Sequence, residues 1–138
     1  MKFLFDNNLP PALAEALGTL TAAHWQGVHS VVHLRDRFDK SVSDTFYIEK
    51  LGSEGDWSIV THDRFAKGLE RQALARANIV VFLLDKSWAQ HAFWDKSTNL
   101  CRWWPVIVHQ AERLSGGAIL QVPWKLSGQG RFKQVPIK

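Results

Sequence analysis

A single cysteine, Cys101, stands in the 138-residue chain, which rules out an internal disulfide and a cysteine-built metal cluster. Any bound metal must then be held by oxygen or imidazole. Apolar runs are short: none approaches the roughly 18 residues of a membrane span, and Phe3 to Phe5 breaks off at Asp6, too early for a signal peptide. A soluble, cytoplasmic protein with no membrane partner is expected. The chain also lacks the phosphate-cradling G-x-x-x-x-G-K-S/T, a G-x-G-x-x-G after a strand and the G-x-S-x-G of serine hydrolases. Nucleotide-cofactor and serine-hydrolase chemistry lose their support. Histidine gives no zinc site either, because His29 and His33 fall four residues apart on an expected strand, about 13 Å from one another.

Acidic residues are scarce in the later part of the chain. Residues 86–138 hold eight Lys and Arg against two Asp and Glu, a balance of +6, whereas residues 1–85 hold nine against eleven, a balance of −2. Five of the seven tryptophans lie in the basic part. Basic side chains interleaved with aromatics suit a polyanion such as RNA, although several of these rings are needed for a core. An apolar fraction of 46% with 22% charged residues matches one folded domain over 1–138, with an acidic core over 1–85 and a basic, tryptophan-rich region over 86–138.

The element pattern is an alternation. Lys2 to Phe5 reads as a strand, and Pro10-Pro11 opens an Ala/Leu-rich helix to about Ala23. Val28 to Leu34 is β-branched and runs into a polar loop at Arg35-Asp36-Arg37. Ser41-x-x-Asp44 resembles a capping box, starting a second helix near Val42 that ends at Gly52 to Gly55. Trp57 to Thr61 is a third strand, Phe65 to Ala77 a third helix, and Asn78 to Leu84 a fourth strand. Strands alternating with helices predict an α/β fold of three layers around a mostly parallel sheet of four to five strands. Ser87 to Leu114 has near-helical apolar spacing, as one long helix or a broken pair, with a kink or break expected at Trp103-Trp104-Pro105 and with Trp94 and Cys101 on the core face. Ala118 to Val122 adds an edge strand, and Ser127 to Gly130 a turn.

In an open parallel sheet, ligands bind beyond the carboxyl ends of the strands. Asp6, Asp36, Asp63 and Asp85 each follow a strand, and Asp44 opens a helix on the same edge. Carboxylates gathered there repel and raise one another's pKa unless a hard divalent cation neutralises them. Mg²⁺ or Mn²⁺ fits oxygen ligands, can activate water, and can steady charge on a phosphate. Hydrolysis of a phosphodiester is the chemistry this suggests. Each acid also has a structural role open to it: Asp44 and Asp63 as caps, Asp36 as an ion-pair partner of Arg35 or Arg37. Asn8 suits a helix cap or a phosphate contact, and His62 a packing residue or a phosphate contact.

The stretches Phe3-Leu4-Phe5-Asp6-Asn7-Asn8-Leu9-Pro10, Val31-Val32-His33-Leu34-Arg35-Asp36, Ser43-Asp44 and Val60-Thr61-His62-Asp63-Arg64 resemble the short PIN-like domain families, which include VapC-like toxins. Phe93-Trp94 and Arg102-Trp103-Trp104-Pro105 resemble one such subfamily. The resemblance implies a three-layer α/β ribonuclease dependent on Mg²⁺ or Mn²⁺, the toxin of a toxin–antitoxin pair. Asp6, Asp44 and Asp63 would carry the catalytic and metal-binding roles, with Asp36 as an optional fourth ligand. Asn8, His62, Arg64, Arg131 and Lys133 are the expected substrate-binding residues. The partners implied are RNA and an antitoxin protein, and a homodimer is compatible. Related chains often read Asp-Glu-Asn-Leu-Pro at the start and carry a further acid two residues after the third aspartate; here Asn7 and Phe65 stand at those places. With fewer acids, one tightly held ion is expected, a second arriving with substrate.

Two other functions compete. One is a catalytically silent RNA-binding or partner-binding module, in which the acids only cap and pair. The other is a small-substrate aspartyl phosphatase, whose nucleophile normally sits in an Asp-x-Asp setting that Asp6-Asn7-Asn8 does not provide.

Overall fold

A computed structural model describes residues 1–65, 67–127 and 131–137. Its strands are β1 (Lys2–Phe5), β2 (Ser30–His33), β3 (Trp57–Thr61), β4 (Val80–Leu84), β5 (Ala118–Val122) and β6 (Lys133–Val135). Its helices are α1 (Pro11–His24), α2 (Leu34–Arg37), α3 (Asp44–Glu54), α4 (Gly68–Ala77) and α5 (Phe93–Arg113), with a 3₁₀ turn at Lys86–Gln90. The strands form one sheet in the order β2-β1-β3-β4-β5-β6. Strands β1 to β5 are parallel, and β6 runs antiparallel to β5.

Alternate strand residues feed two cores. Phe3, Phe5, Val60, Phe82 and Leu120 pack with α1 and α5 on one face of the sheet. Leu4, Ile59, Val81 and Ile119 pack with α3 and α4 on the other. Every residue of β3 and of β4 is buried, as expected for parallel strands covered on both sides. Tryptophan fills much of the first core: Trp88, Trp103 and Trp104 are almost wholly buried. The Trp104 indole donates to Thr21 Oγ1 at 2.8 Å, fastening α5 to α1. Most of the aromatic content of the basic region is therefore structural.

Several local expectations are corrected. The second strand begins at Ser30, two residues late, and His29 precedes it. Arg35 to Arg37 is a short helix, not a loop, closed by a capping box in which the His33 imidazole accepts from Arg35 N and the Asp36 carboxylate accepts from His33 N. The cap of α3 is Ser43, which accepts from Phe46 N, and not Ser41, whose hydroxyl is tied to Asp39. Helix α4 starts at Gly68, because Asp63 captures the Phe65 N–H and Phe65 takes a left-handed φ of 48°. Helix α5 runs through Pro105 without a break. The carbonyl left without a donor belongs to Cys101, and both residues face solvent, where water can serve it. Cys101 and Trp94 are thus exposed, not core, since the buried face of α5 runs through Leu100, Trp103, Trp104, Ile107, Val108 and Ala111. Strand β5 is internal, with β6 taking the edge. Most of the expected Ser127–Gly130 turn lies outside the described residues.

The contact of α3 with α4 is close enough to need glycine. A Cβ on Gly52 would lie 2.7 Å from the Ala77 Cβ and 2.9 Å from its Cα. Alanine normally improves a helix over glycine by up to about 1 kcal/mol, but overpacking costs roughly 1–3 kcal/mol. Gly52→Ala should therefore lower stability in urea unfolding, and adding Ala77→Gly should restore part of the loss.

Candidate functional site

The chain passes from β1 to β2 over one face of the sheet and returns to β3 on the opposite side of β1. Strands β1 and β3 are neighbours whose onward connections diverge, and such a switch point opens a crevice beyond their carboxyl ends. Asp6 leaves β1 at this place, and Asp63 stands two residues beyond β3.

Thr61, the last residue of β3 and fully buried, organises the corner. Its hydroxyl donates to Asp6 Oδ2 at 2.7 Å and accepts from Asn8 Nδ2 at 3.2 Å and from Asp63 N at 2.9 Å. The Asn7 backbone donates to Asp6 Oδ1 at 2.7 Å. Asn8 Oδ1 accepts from His62 N at 3.1 Å, so Asn8 joins the ends of β1 and β3. It does not cap α1, which opens on Pro10 with no side-chain cap.

Helices α3 and α4 bring two more acids to the same corner. Asp44 sits in the first turn of α3, and Glu70 in the first turn of α4. One carboxylate oxygen from each of Asp44, Asp63 and Glu70 lies within 4.8 Å of the others. Asp6 is near enough for its charge to act on Asp44, as does that of Asp63. Burial holds the Asp6 carboxyl above its ordinary pKa, against hydrogen bonds from Thr61 and Asn7 that favour its charge. Asp44 is pushed up to about 8, first by burial, next by the adjoining Glu70 carboxyl, and then by the charges of Asp6 and Asp63. The Tyr47 hydroxyl is buried against these acids, beside Asp6, whose charged form it favours. Burial and the Asp6, Asp44 and Asp63 charges raise its pKa well above the usual tyrosine range.

This corner fits a hard cation. Octahedral Mg²⁺ with oxygens at about 2.0–2.1 Å places opposite ligands roughly 4 Å apart, within the 4.8 Å spread of the three carboxylates. The acids repel without one, and the Tyr47 phenol beside Asp6 favours the charged form of that carboxyl. Glu70 was missed in the sequence, where it is one more acid on an amphipathic helix. Its burial, with 7% of its surface exposed, is the unusual feature. Spacing alone does not reveal that.

The other residues expected at the site divide. Asp36 spends its carboxylate on the α2 cap, and Asp85 caps the 3₁₀ turn through Ser87, so neither joins the cluster. Arg64 and Lys133 line one groove together with Arg71. The Arg71 guanidinium donates to the Phe65, Arg64 and Pro136 carbonyls at 2.7, 3.1 and 2.6 Å, tying the turn after Asp63 to the segment after β6. Arg131 is exposed just before β6. His62 is partly buried, and its pKa is lowered by that burial and by Lys96.

No helix among the described residues is long and apolar enough to cross a membrane. A family model described as PIN like domain matches residues 1–86, while no curated protein and no solved structure matches the chain. The matched span holds the switch point, all four clustered acids and the hydrogen bonds that orient them, and the parallel sheet with helices on both faces accords with it. The chain belongs to the PIN-like domain family.

Proposed function

We propose that the chain is a metal-dependent endoribonuclease, the toxin of a toxin–antitoxin pair, with Asp6, Asp44, Asp63 and Glu70 as its acidic centre. The observation that carries the reading is the convergence of oxygens from Asp44, Asp63 and Glu70 within 4.8 Å, beside Asp6, at the switch point of a PIN-like sheet. A Mg²⁺ or Mn²⁺ ion held there supplies positive charge for a scissile phosphate and lowers the pKa of a bound water.

The chain's own side chains supply the rest. Thr61 and Asn7 hold both oxygens of Asp6, fixing the direction of its remaining lone pairs. Asp63 accepts the Phe65 N–H through one oxygen, leaving the other to face the cluster. Asp44 and Glu70 come from separate helices, so their spacing depends on the α3–α4 contact. Glu70 supplies the fourth carboxylate that the sequence lacks at Asn7 and Phe65. Arg64, Lys133 and Arg131 are cations on the β5–β6 side, where they can hold the RNA backbone without taking part in bond cleavage. An acidic antitoxin segment would be drawn to the same cations.

Replacing Asp44, Asp63 or Glu70 by its amide should lower cleavage of single-stranded RNA by about 100-fold or more, since charge stabilisation by a metal is worth several kcal/mol. Purified variants assayed with Mn²⁺ and checked by melting test this. Wild-type rates in all three would leave the catalytically silent module as the better description. Thr61→Val keeps all four carboxylates but removes the hydroxyl that joins the ends of β1 and β3, and should weaken Mn²⁺ binding roughly 10–100-fold, the usual cost of removing a hydrogen bond behind a ligand.

The raised pKa of Asp44 also fixes a pH dependence. An acid whose folded pKa lies above its unfolded value stabilises the fold below the unfolded pKa and loses that contribution as pH rises through the folded one. With 3.8 as the ordinary value and about 8 in the fold, the metal-free protein should lose melting temperature progressively between those two pH values. Asp44→Asn should flatten the profile, and Mn²⁺ should reverse the decline at the alkaline end. Melting in EDTA across this range, repeated with Mn²⁺, measures both effects.

A further inference from the structure

The carboxyl edge of the sheet carries a second feature on the opposite face from the acids. A cavity of about 280 Å³ lies between the start of α1, the end of β4 and the first turns of α5. Leu9, Leu84, Trp88 and Leu100 give it an apolar floor. Arg35, His62, His91 and Lys96 stand around it, and among the described residues no carboxylate lines it. This separates it sharply from the acidic corner beside it.

Aromatic rings shape the mouth. Phe93 lines the cavity and is 49% exposed, and its neighbour Trp94 is 77% exposed, the two rings meeting edge to face at 5.9 Å. His91 stacks flat on Trp124, with centroids 3.5 Å apart and planes within 5°. Exposed or half-exposed rings beside cations that form no ion pair among the described residues are the combination that binds single-stranded nucleic acid, through base stacking and phosphate attraction. At about 280 Å³ the cavity falls at the small end of ligand pockets. It has room for a planar base and not for a helix.

The two features touch. Asn8 lines the cavity and also hydrogen-bonds Thr61 in the acidic corner, while His62 lines the cavity and is followed directly by Asp63. A strand crossing this edge would pass from the cavity to the acids over one residue's width.

We propose that the cavity is a nucleotide subsite: it receives one base of a single-stranded RNA next to the scissile phosphate, with Phe93 stacking on the base and Lys96 and Arg35 drawing the adjoining phosphates. The identity of the strand rests on the ribonuclease reading. The apolar floor and the rings set which base is accepted by shape and stacking, and the acids act on whichever phosphate this places over them.

Binding measured without cleavage tests the subsite. Fluorescein-labelled octauridylate and octaadenylate are titrated in EDTA by anisotropy from 50 to 300 mM salt, with wild type, Phe93→Ala, Lys96→Gln and, as a remote charge control, Arg76→Gln. Phe93 and Lys96 are not core residues, and melting checks that the variants fold. Phe93→Ala should weaken binding of the better octamer about ten-fold and reduce the preference between the two. Lys96→Gln should lower the salt slope by about one, with Arg76→Gln having a smaller effect. Unchanged affinity and preference in Phe93→Ala and Lys96→Gln would overturn the subsite while leaving the ribonuclease reading intact. Failure of the wild type to bind or cleave either octamer would overturn both. A deca-glutamate peptide is titrated in parallel: if it loses affinity in the two variants and RNA does not, the cavity docks a protein and the proposal falls.

Discussion

Four carboxylates drawn into one corner, two of them nearly buried, repel one another in a poorly screened setting, and the architecture around them is arranged to withstand that repulsion. Thr61 is central. Its single hydroxyl satisfies Asp6 and receives Asn8 and the Asp63 backbone, so the ends of β1 and β3 are locked together at the point where their charges oppose. Helices α3 and α4, which carry Asp44 and Glu70 in their first turns, pack closely at the Gly52–Ala77 contact. The raised pKa values of Asp6 and Asp44 record their burial first and, after it, the neighbouring charges that remain uncompensated. Local stability is lower for it, as it commonly is at functional corners, and a cation bound as proposed would restore it.

The strong local signals were legible in the sequence. Trp57 to Thr61 is a short strand rich in β-branched and aromatic residues with sharp ends, and it falls where the pattern puts it. The βα alternation led directly to the parallel sheet, and strand-end aspartates to Asp6 and Asp63. What failed was governed by side chains competing for backbone groups. His33 and Asp36 fold Arg35 to Arg37 into a helix that no propensity suggests, and Asp63 delays α4 by taking the Phe65 N–H. Pro105 did not break α5 because the unpaired carbonyl faces water while Trp103 and Trp104 hold the helix to the sheet. Glu70 stayed hidden because nothing in a helical charge pattern says which acid a neighbouring helix will bury.

The same edge of the sheet presents two opposite electrostatic characters. On the α3 and α4 side it is acidic, on the α1 and α5 side cationic and aromatic, and Asn8 with His62 forms the divide. On the proposed reading a polyanion is repelled by the first and held by the second. The separation would let the proposed nuclease draw a phosphate toward acids whose own charge disfavours it.

Arg71 gives the site a history as well as a shape. Its guanidinium grips the turn after Asp63 and, across 65 positions of sequence, the carbonyl of Pro136. Closing so wide a loop is slow compared with forming the local turns and helices. During synthesis residues 1–86 leave the ribosome ahead of β6, and until that segment emerges the Asp63 turn lacks one of its walls. Arg71 receives its last partner only when the segment after β6 has been synthesised and has docked. The part of the chain that bears the acids is thus completed by the part that carries none of them.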